Sequence, residues 1–238
     1  MSQEARSEAL IEVLKDLQES DIGFVLVGGY AVSQFETRFS ADLDLVIAPD
    51  DHDEIVAFLR DHEFERRDEL EVPPDETIYG REIELFERSE GLVYPVGVDV
   101  LVNGLGCRQT KAEWSYEYLR AHSTKQTISG GSRSTTARTA DGEVLVAAKL
   151  HSGRPTDLAD VLAAVPEIEF ERVETHLYRG DEAKLRSQLE EAKEFIENDG
   201  LDHRFKSLFG QSDASPDDLE VLLTFLEEQC YSGANGSA

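Results

Sequence analysis

Apolar residues at Leu10, Ile11, Leu14 and Leu17 recur at the spacing of one helix face and predict an amphipathic helix over residues 3–20. Gly23 ends it, and the apolar run Phe24–Val27 reads as a strand running into Gly28-Gly29. Residues 30–35 continue as a helix with Ala31, Val32 and Phe35 inward. The pattern then becomes alternating at Asp42-Leu43-Asp44-Leu45, which predicts a strand with both acids on one face and both leucines on the other. A turn at Pro49-Asp50 leads to a helix over 51–62 with Ile55, Val56, Phe58 and Leu59 apolar. Pro73-Pro74 breaks the chain. Two strand-like runs follow, 77–86 and 92–102, separated by a polar turn at 89–91 and able to pair as a hairpin. The second places Val96, Val98, Val100 and Val102 on one face and Asp99 on the other, with Gly97 and Leu101.

Further along, residues 111–121 read as a helix, and 124–138 as a hairpin turning at Gly130-Gly131. A helix over 141–150 carries Lys149 near its end. Gly153-Arg154-Pro155 interrupts it, and a new helix starts there, since Pro suits a first turn. The character changes after Pro166: residues 167–198 are charged, acidic and helical, and a second helix over about 216–229 carries Leu219, Leu222, Leu223 and Leu226, read as a core seam. This divides the chain into a domain of residues 1–165, a helical region of 166–231 and a disordered tail of 232–238.

Composition adds one strong constraint. The 238 residues carry 50 Asp and Glu against 23 Lys and Arg, a net charge of −27. The acids are spread over every segment, lysine is sparse, and aromatic and apolar runs are present, so the chain is expected to fold rather than to be an acidic disordered protein. Adaptation to high salt accounts for the excess: at about 1 M salt the Debye length is roughly 3 Å and self-repulsion is screened. Such a surface argues against a membrane surface or bulk DNA as partner. Two cysteines, Cys107 and Cys230, are too few for a disulfide framework, and no apolar run resembles a signal peptide or a bilayer span, which points to the cytoplasm.

Asp42 and Asp44 on one strand face repel each other unless a cation sits between them, and Mg²⁺ with its preference for oxygen is the candidate. Gly28 and Gly29 allow close backbone approach, and the following helix offers N–H groups to an anion. If the strand of Asp99 neighbours that of Asp42 and Asp44, three carboxylates converge in the way a pair of divalent ions requires for phosphoryl or nucleotidyl transfer. Asp157 and Asp160 are i, i+3 neighbours on one helix face, able to hold Lys149 or Arg154.

These residues carry a resemblance. GGYAVSQFETRFSADLDLVI resembles the first motif of the nucleotidyltransferase superfamily with a polymerase-β-like palm, and VGVDVLV the strand bearing its third acid. VLVAAKLHSGRPTDLADV is similar to the later motifs of the AbiEii-type branch, whose members are mostly toxins of type IV toxin–antitoxin pairs. The resemblance covers roughly residues 1–165. It implies an α+β fold with a mixed-sheet palm, flanking helices and an acidic helical extension. Gly28 and Gly29 would face a triphosphate. Asp42, Asp44 and Asp99 would be catalytic ligands of two Mg²⁺ ions, with Asp99 also the base or hydroxyl orienter. Lys149 and Arg154 would neutralise the nucleotide's charge, and Asp157 would be the aspartate of the last motif. One departure is Thr156, where the branch has lysine.

The function so implied is Mg²⁺-dependent transfer of NMP from an NTP to an acceptor hydroxyl, on a tRNA 3′ end or a protein side chain, by a toxin restrained by an antitoxin protein. A small-molecule nucleotidyltransferase of the aminoglycoside-modifying kind and a catalytically silent nucleotide-binding module are the alternatives. Arg38 and Ser40, just before the first acid, stand either against phosphate or nucleobase or in a solvated loop.

Overall fold

The computed structural model describes residues 3–67, 83–89, 94–198, 200–210 and 214–231. The break at Pro73-Pro74, the first part of the 77–86 run, most of the 89–91 turn and the 232–238 tail lie outside them. The chain forms two compact units, one of Met1–Arg108 with Glu113–Asp141 and one of Gln109–Ala112 with Gly142–Ala238. Compactness thus parts the chain after Asp141, whereas composition placed the change near 165.

In the first unit the elements run α1 (Gln3–Glu19), β1 (Phe24–Val27), α2 (Gly28–Val32), β2 (Asp42–Ile47), α3 (His52–Asp61), β3 (Glu65–Arg66), β4 (Ile83–Arg88), β5 (Val96–Val102), β6 (Gly104–Cys107), β7 (Ala112–Ser115), α4 (Tyr116–Ala121), β8 (Ser123–Gly130) and β9 (Arg133–Ala140). Seven strands form one sheet in the order β3-β4-β5-β2-β1-β9-β8. The β2–β5 and β1–β9 pairs are parallel and the others antiparallel, so the sheet is mixed and the fold is α+β. Leu43, Leu45 and Ile47 pair in register with Val98, Val100 and Val102 on the buried face. Each large aliphatic side chain sealed there contributes about 1.5–3 kcal/mol. The face of α1 read from its spacing is buried, with Leu10, Leu14 and Leu17 fully enclosed, and the helix packs against β8 and β9.

The helix expected over 111–121 begins instead as a strand. Ala112 and Trp114 point inward and Glu113 and Ser115 outward, a period of two that belongs to β7. Ser115 then caps α4, its Oγ accepting the Tyr118 N–H at 3.2 Å. The partner strand β6, unmarked by any periodicity in its Gly-Leu-Gly-Cys sequence, pairs with β7. The hairpin expected over 124–138 is present as β8–β9, turning at Gly130 and Gly131.

The second unit consists of α5 (Gly142–Ser152), α6 (Pro155–Ala164), α7 (Phe170–Leu177), α8 (Glu182–Glu197), α9 (Gly200–Phe209) and α10 (Pro216–Tyr231). The acidic stretch 167–198 is two helices, parted at Gly180. That residue has φ +71°, and a Cβ there would lie 2.4 Å from the Thr110 carbonyl oxygen. Asp181 caps α8 by accepting the Lys184 N–H. On α10, Leu222 and Leu226 are buried and Leu219 and Leu223 half-buried, as a core seam requires. His151 is fully buried. Its Nε2 donates to the Leu177 carbonyl and its Nδ1 accepts from the Thr110 hydroxyl, both at 2.7 Å, which is the pattern of a neutral ring.

Candidate active site

The acids come together because β2 and β5 are parallel neighbours. Asp44 is the register partner of Asp99, and Asp42, two residues earlier on the same face, is the partner of Gly97. Buried Leu43, Leu45, Val98 and Val100 alternate with them and hold this face outward. Gly97 is required here. A Cβ at that position would lie 2.1 Å from Asp42 Oδ1, so only glycine leaves the carboxylate its place. Gly28 serves Asp44 in the same way. It has φ +66°, and a Cβ would lie 1.8 Å from Asp44 Oδ2. The di-glycine turn and the acids read from the sequence are therefore in direct van der Waals relation.

Crowding shows in the proton affinities. Asp99 is pushed up to about 8, first by burial and then by the negative charges of Asp44 and Asp42, with Arg67 opposing. Asp42 is also raised, by desolvation, while Arg6 and Arg67 pull it down and Glu87 adds to the rise. The donor set is chemically that of a hard divalent cation: oxygen only, anionic, and relieved of mutual repulsion by a bound charge. Its present arrangement is open. Among the described residues no group of three or more His, Cys, Asp or Glu side chains is arranged to hold a metal ion, the Asp44 carboxylate lying over Gly28 and that of Asp42 over Gly97.

Sequence reasoning passed over Arg6 and Arg67, the cations whose charge reaches Asp42. Arg6 sits on the polar side of an ordinary amphipathic helix and Arg67 follows a two-residue strand. Nothing in their local sequence marks them; only the folded sheet brings them to the acids.

Lys149, Arg154 and Asp157 are brought together in the second unit. Lys149 Nζ lies 2.9 Å from Asp157 Oδ1 and 2.7 Å from Asp160 Oδ2, and the three side chains are 9%, 4% and 0% exposed. Arg154 Nε donates to Asp157 Oδ2 at 2.6 Å and Ser152 Oγ to the same oxygen at 2.7 Å. Burial opposes ionisation of Asp157, but Lys149 and Arg154 outweigh it and hold the carboxyl below the usual range. Lys149 is stabilised as the cation for the reciprocal reason. The i, i+3 pair on α6 therefore grips the lysine of α5, and the helix break at Gly153 is what folds one helix back to the other. Thr156, the departure from the branch pattern, accepts a hydrogen bond from Arg204 of α9.

No protein-family model matches the chain, and no curated protein matches it in sequence. Solved structures do match in fold. A protein from H. pylori provisionally described as a nucleotidyltransferase aligns over 98% of this chain and 96% of its own, with TM-score 0.51 and 14% identity. JHP933 from Helicobacter pylori covers 100% and 96% with TM-score 0.51 and 15% identity. The antibiotic-resistance factor ANT(2'')-Ia covers 83% of this chain and all of its own, with TM-score 0.52 and 16% identity. The architecture is accordingly the nucleotidyltransferase fold. No helix among the described residues is long and apolar enough to cross a membrane.

Proposed function

We propose that the chain is a nucleotidyltransferase that moves NMP from an NTP to an acceptor hydroxyl. The observation that carries this is the in-register pairing of Asp44 with Asp99, with Asp42 on the same face and Gly28 beneath the Asp44 carboxylate. Asp42, Asp44 and Asp99 would hold Mg²⁺, which when bound supplies a lowered hydroxyl pKa and charge balance for the triphosphate. Asp99 orients the acceptor hydroxyl and takes its proton. The acceptor oxygen forms a bond to the α-phosphorus as the bond from that phosphorus to the α–β bridging oxygen breaks, and the electron pair leaves with pyrophosphate. Gly28 and Gly29 line the nucleotide's side of the site, Gly28 leaving room for the Asp44 carboxylate and Gly29 for Ser40 and Arg38. Lys149, Arg154 and Asp157 act as a clamp between α5 and α6, and Arg154, half exposed, is the member able to meet an anionic ligand.

The acceptor class supported by the sequence resemblance is an RNA 3′ end or a protein hydroxyl, with the enzyme a cytoplasmic toxin of a salt-adapted cell held in check by an antitoxin protein. A small-molecule acceptor is the second reading. It is favoured by the likeness to an antibiotic-resistance factor over that protein's whole length. Incubation in high salt with Mg²⁺ and each labelled NTP, with tRNA, candidate proteins or aminoglycosides, sorts these by where label appears. Label must vanish in Asp42→Ala and Asp99→Ala; wild-type transfer by those variants overturns the assignment.

A further inference from the structure

The acids are not the only like charges gathered on one face of the sheet. From Tyr118 to Ala140 the chain runs 23 residues without an Asp or Glu, although these make up 50 of its 238 residues, and it carries Arg120, Lys125, Arg133 and Arg138 there. This stretch holds β8 and β9. Strand formation alone does not exclude acids, since β4 contains Glu84 and Glu87. Register sorts the faces. Leu26 of β1 pairs with Leu45 on the aliphatic side and with Thr139 of β9, so Thr139 shares that side. Its neighbour Arg138 faces the other way, as the acids do. The pairs on the acid-bearing face of the hairpin are therefore Lys125 with Arg138, Thr127 with Thr136 and Ser129 with Ser134. Lys125, Thr127, Ser134 and Thr136 are exposed, and Ser129 and Arg138 half-buried.

Two cations directly opposite each other on paired strands destabilise the pair. Arg138 Nη1 donates to the Ser123 carbonyl at 3.0 Å and to its hydroxyl at 3.2 Å. Among the described residues neither Lys125 nor Arg138 is ion-paired with a carboxylate. Glu8 and Glu12 do meet this hairpin, at Ser132 and Arg133, but they come from α1 on the aliphatic side.

We propose that this face of β8–β9 binds the phosphate backbone of a single-stranded RNA acceptor and leads its 3′ end toward Asp42, Asp44 and Asp99, an assignment that rests on the nucleotidyltransferase reading above. Phosphates relieve the repulsion between Lys125 and Arg138 as a divalent cation relieves that among the aspartates. The hydroxyls of Thr127, Ser129, Ser134 and Thr136 can donate to phosphate oxygens and bond 2′-hydroxyls. In the sheet order β8 and β2 are three strand spacings apart, about 14 Å, a reach that a few nucleotides cover. A cationic small molecule finds no carboxylate on this surface to hold it.

Fluorescence anisotropy of a labelled single-stranded RNA oligonucleotide tests this without NTP or Mg²⁺. DNA of the same sequence and polyglutamate serve as the competing polyanions, and KCl is varied upward from the lowest concentration that keeps the circular dichroism. Lys125→Ala lowers RNA affinity about 3- to 10-fold and flattens the slope of log affinity against log salt by about 0.7, a change that a merely structural role would not produce. Thr127→Glu and Thr136→Glu, each tested alone, lower it at least as much. Gln126→Glu, which puts the same charge on the opposite face of β8, leaves it unchanged. Wild-type RNA affinity in Lys125→Ala, Thr127→Glu and Thr136→Glu overturns the proposal, as does polyglutamate binding as tightly as RNA, and equal affinity for DNA overturns the choice of RNA. A parent that binds no RNA yet labels another acceptor overturns the hairpin's role and leaves the nucleotidyltransferase reading standing. A parent that binds RNA through the hairpin but labels no acceptor overturns that reading and leaves the hairpin an RNA surface.

Discussion

Replacing Lys149 by methionine separates two roles for the buried lysine. In the structure its charge is shared between Asp157 and Asp160 at 2.9 and 2.7 Å, with side chains no more than 9% exposed. With Arg154 the cluster holds two cations against two anions. Methionine fills the space of the aliphatic stem but leaves one excess negative charge below the surface. Breaking a buried pair by removing one partner costs about 3–5 kcal/mol. Arg154 remains 2.6 Å from Asp157, which puts the expected loss at the lower end, about 3 kcal/mol. Against a total stability of about 5–15 kcal/mol, that moves a urea midpoint by roughly 1 M or more. Circular dichroism at the helical wavelengths follows the loss. Trp114, the only tryptophan in the chain, lies in the first unit and reports there by fluorescence. Adding Asp160→Leu restores charge balance and recovers at least half of the loss. If the single variant unfolds at the wild-type midpoint while its NTP affinity falls, the lysine serves the nucleotide and the clamp argument is refuted.

Two further outcomes are expected. Burial lowers His151 to about 4 from an ordinary value of 6.5, so the unfolded chain takes up the proton first as pH falls. Its contribution is intact above pH 6.5 and is lost progressively toward pH 4, reaching about 2 kcal/mol by pH 5; the difference in unfolding free energy between wild type and His151→Gln, measured from pH 7 to 5, should shrink by that amount, and a constant difference refutes it. Removing salt leaves a net charge of −27 unscreened, so circular dichroism should collapse on dialysis into dilute buffer and return when salt is restored, whereas full retention refutes salt adaptation.

The placing of the three acids on the sheet was legible because alternation is a local signal. Asp42, Asp44 and Asp99 each sit among buried aliphatic residues at period two, so their outward face followed from the neighbours, and the pairing of their strands in the sheet completes the convergence. The meeting of Lys149 with Asp157 and Asp160 followed from helical spacing across a Gly-Arg-Pro break. What remained hidden has no local signal. Arg6 and Arg67 reach Asp42 only through tertiary folding, and Arg204 finds Thr156 across 48 residues of chain. Residues 111–115 were misread as helix because Tyr116–Ala121 is one, and the four-residue alternation before it is too short to stand out against its helical continuation.

The parallel pairing of β2 with β5 has a consequence for how this chain can change over time. The two strands are far apart in sequence and their match is set by rows of leucine, isoleucine and valine, so the loops between the elements that join them can lengthen or shorten without disturbing the acids. A single residue gained or lost inside either strand would turn an aspartate inward and a valine or leucine outward along the remainder. Changes of length are thus tolerated in the loops and forbidden within the strands, and the side that enforces this is the buried aliphatic one, opposite the acids.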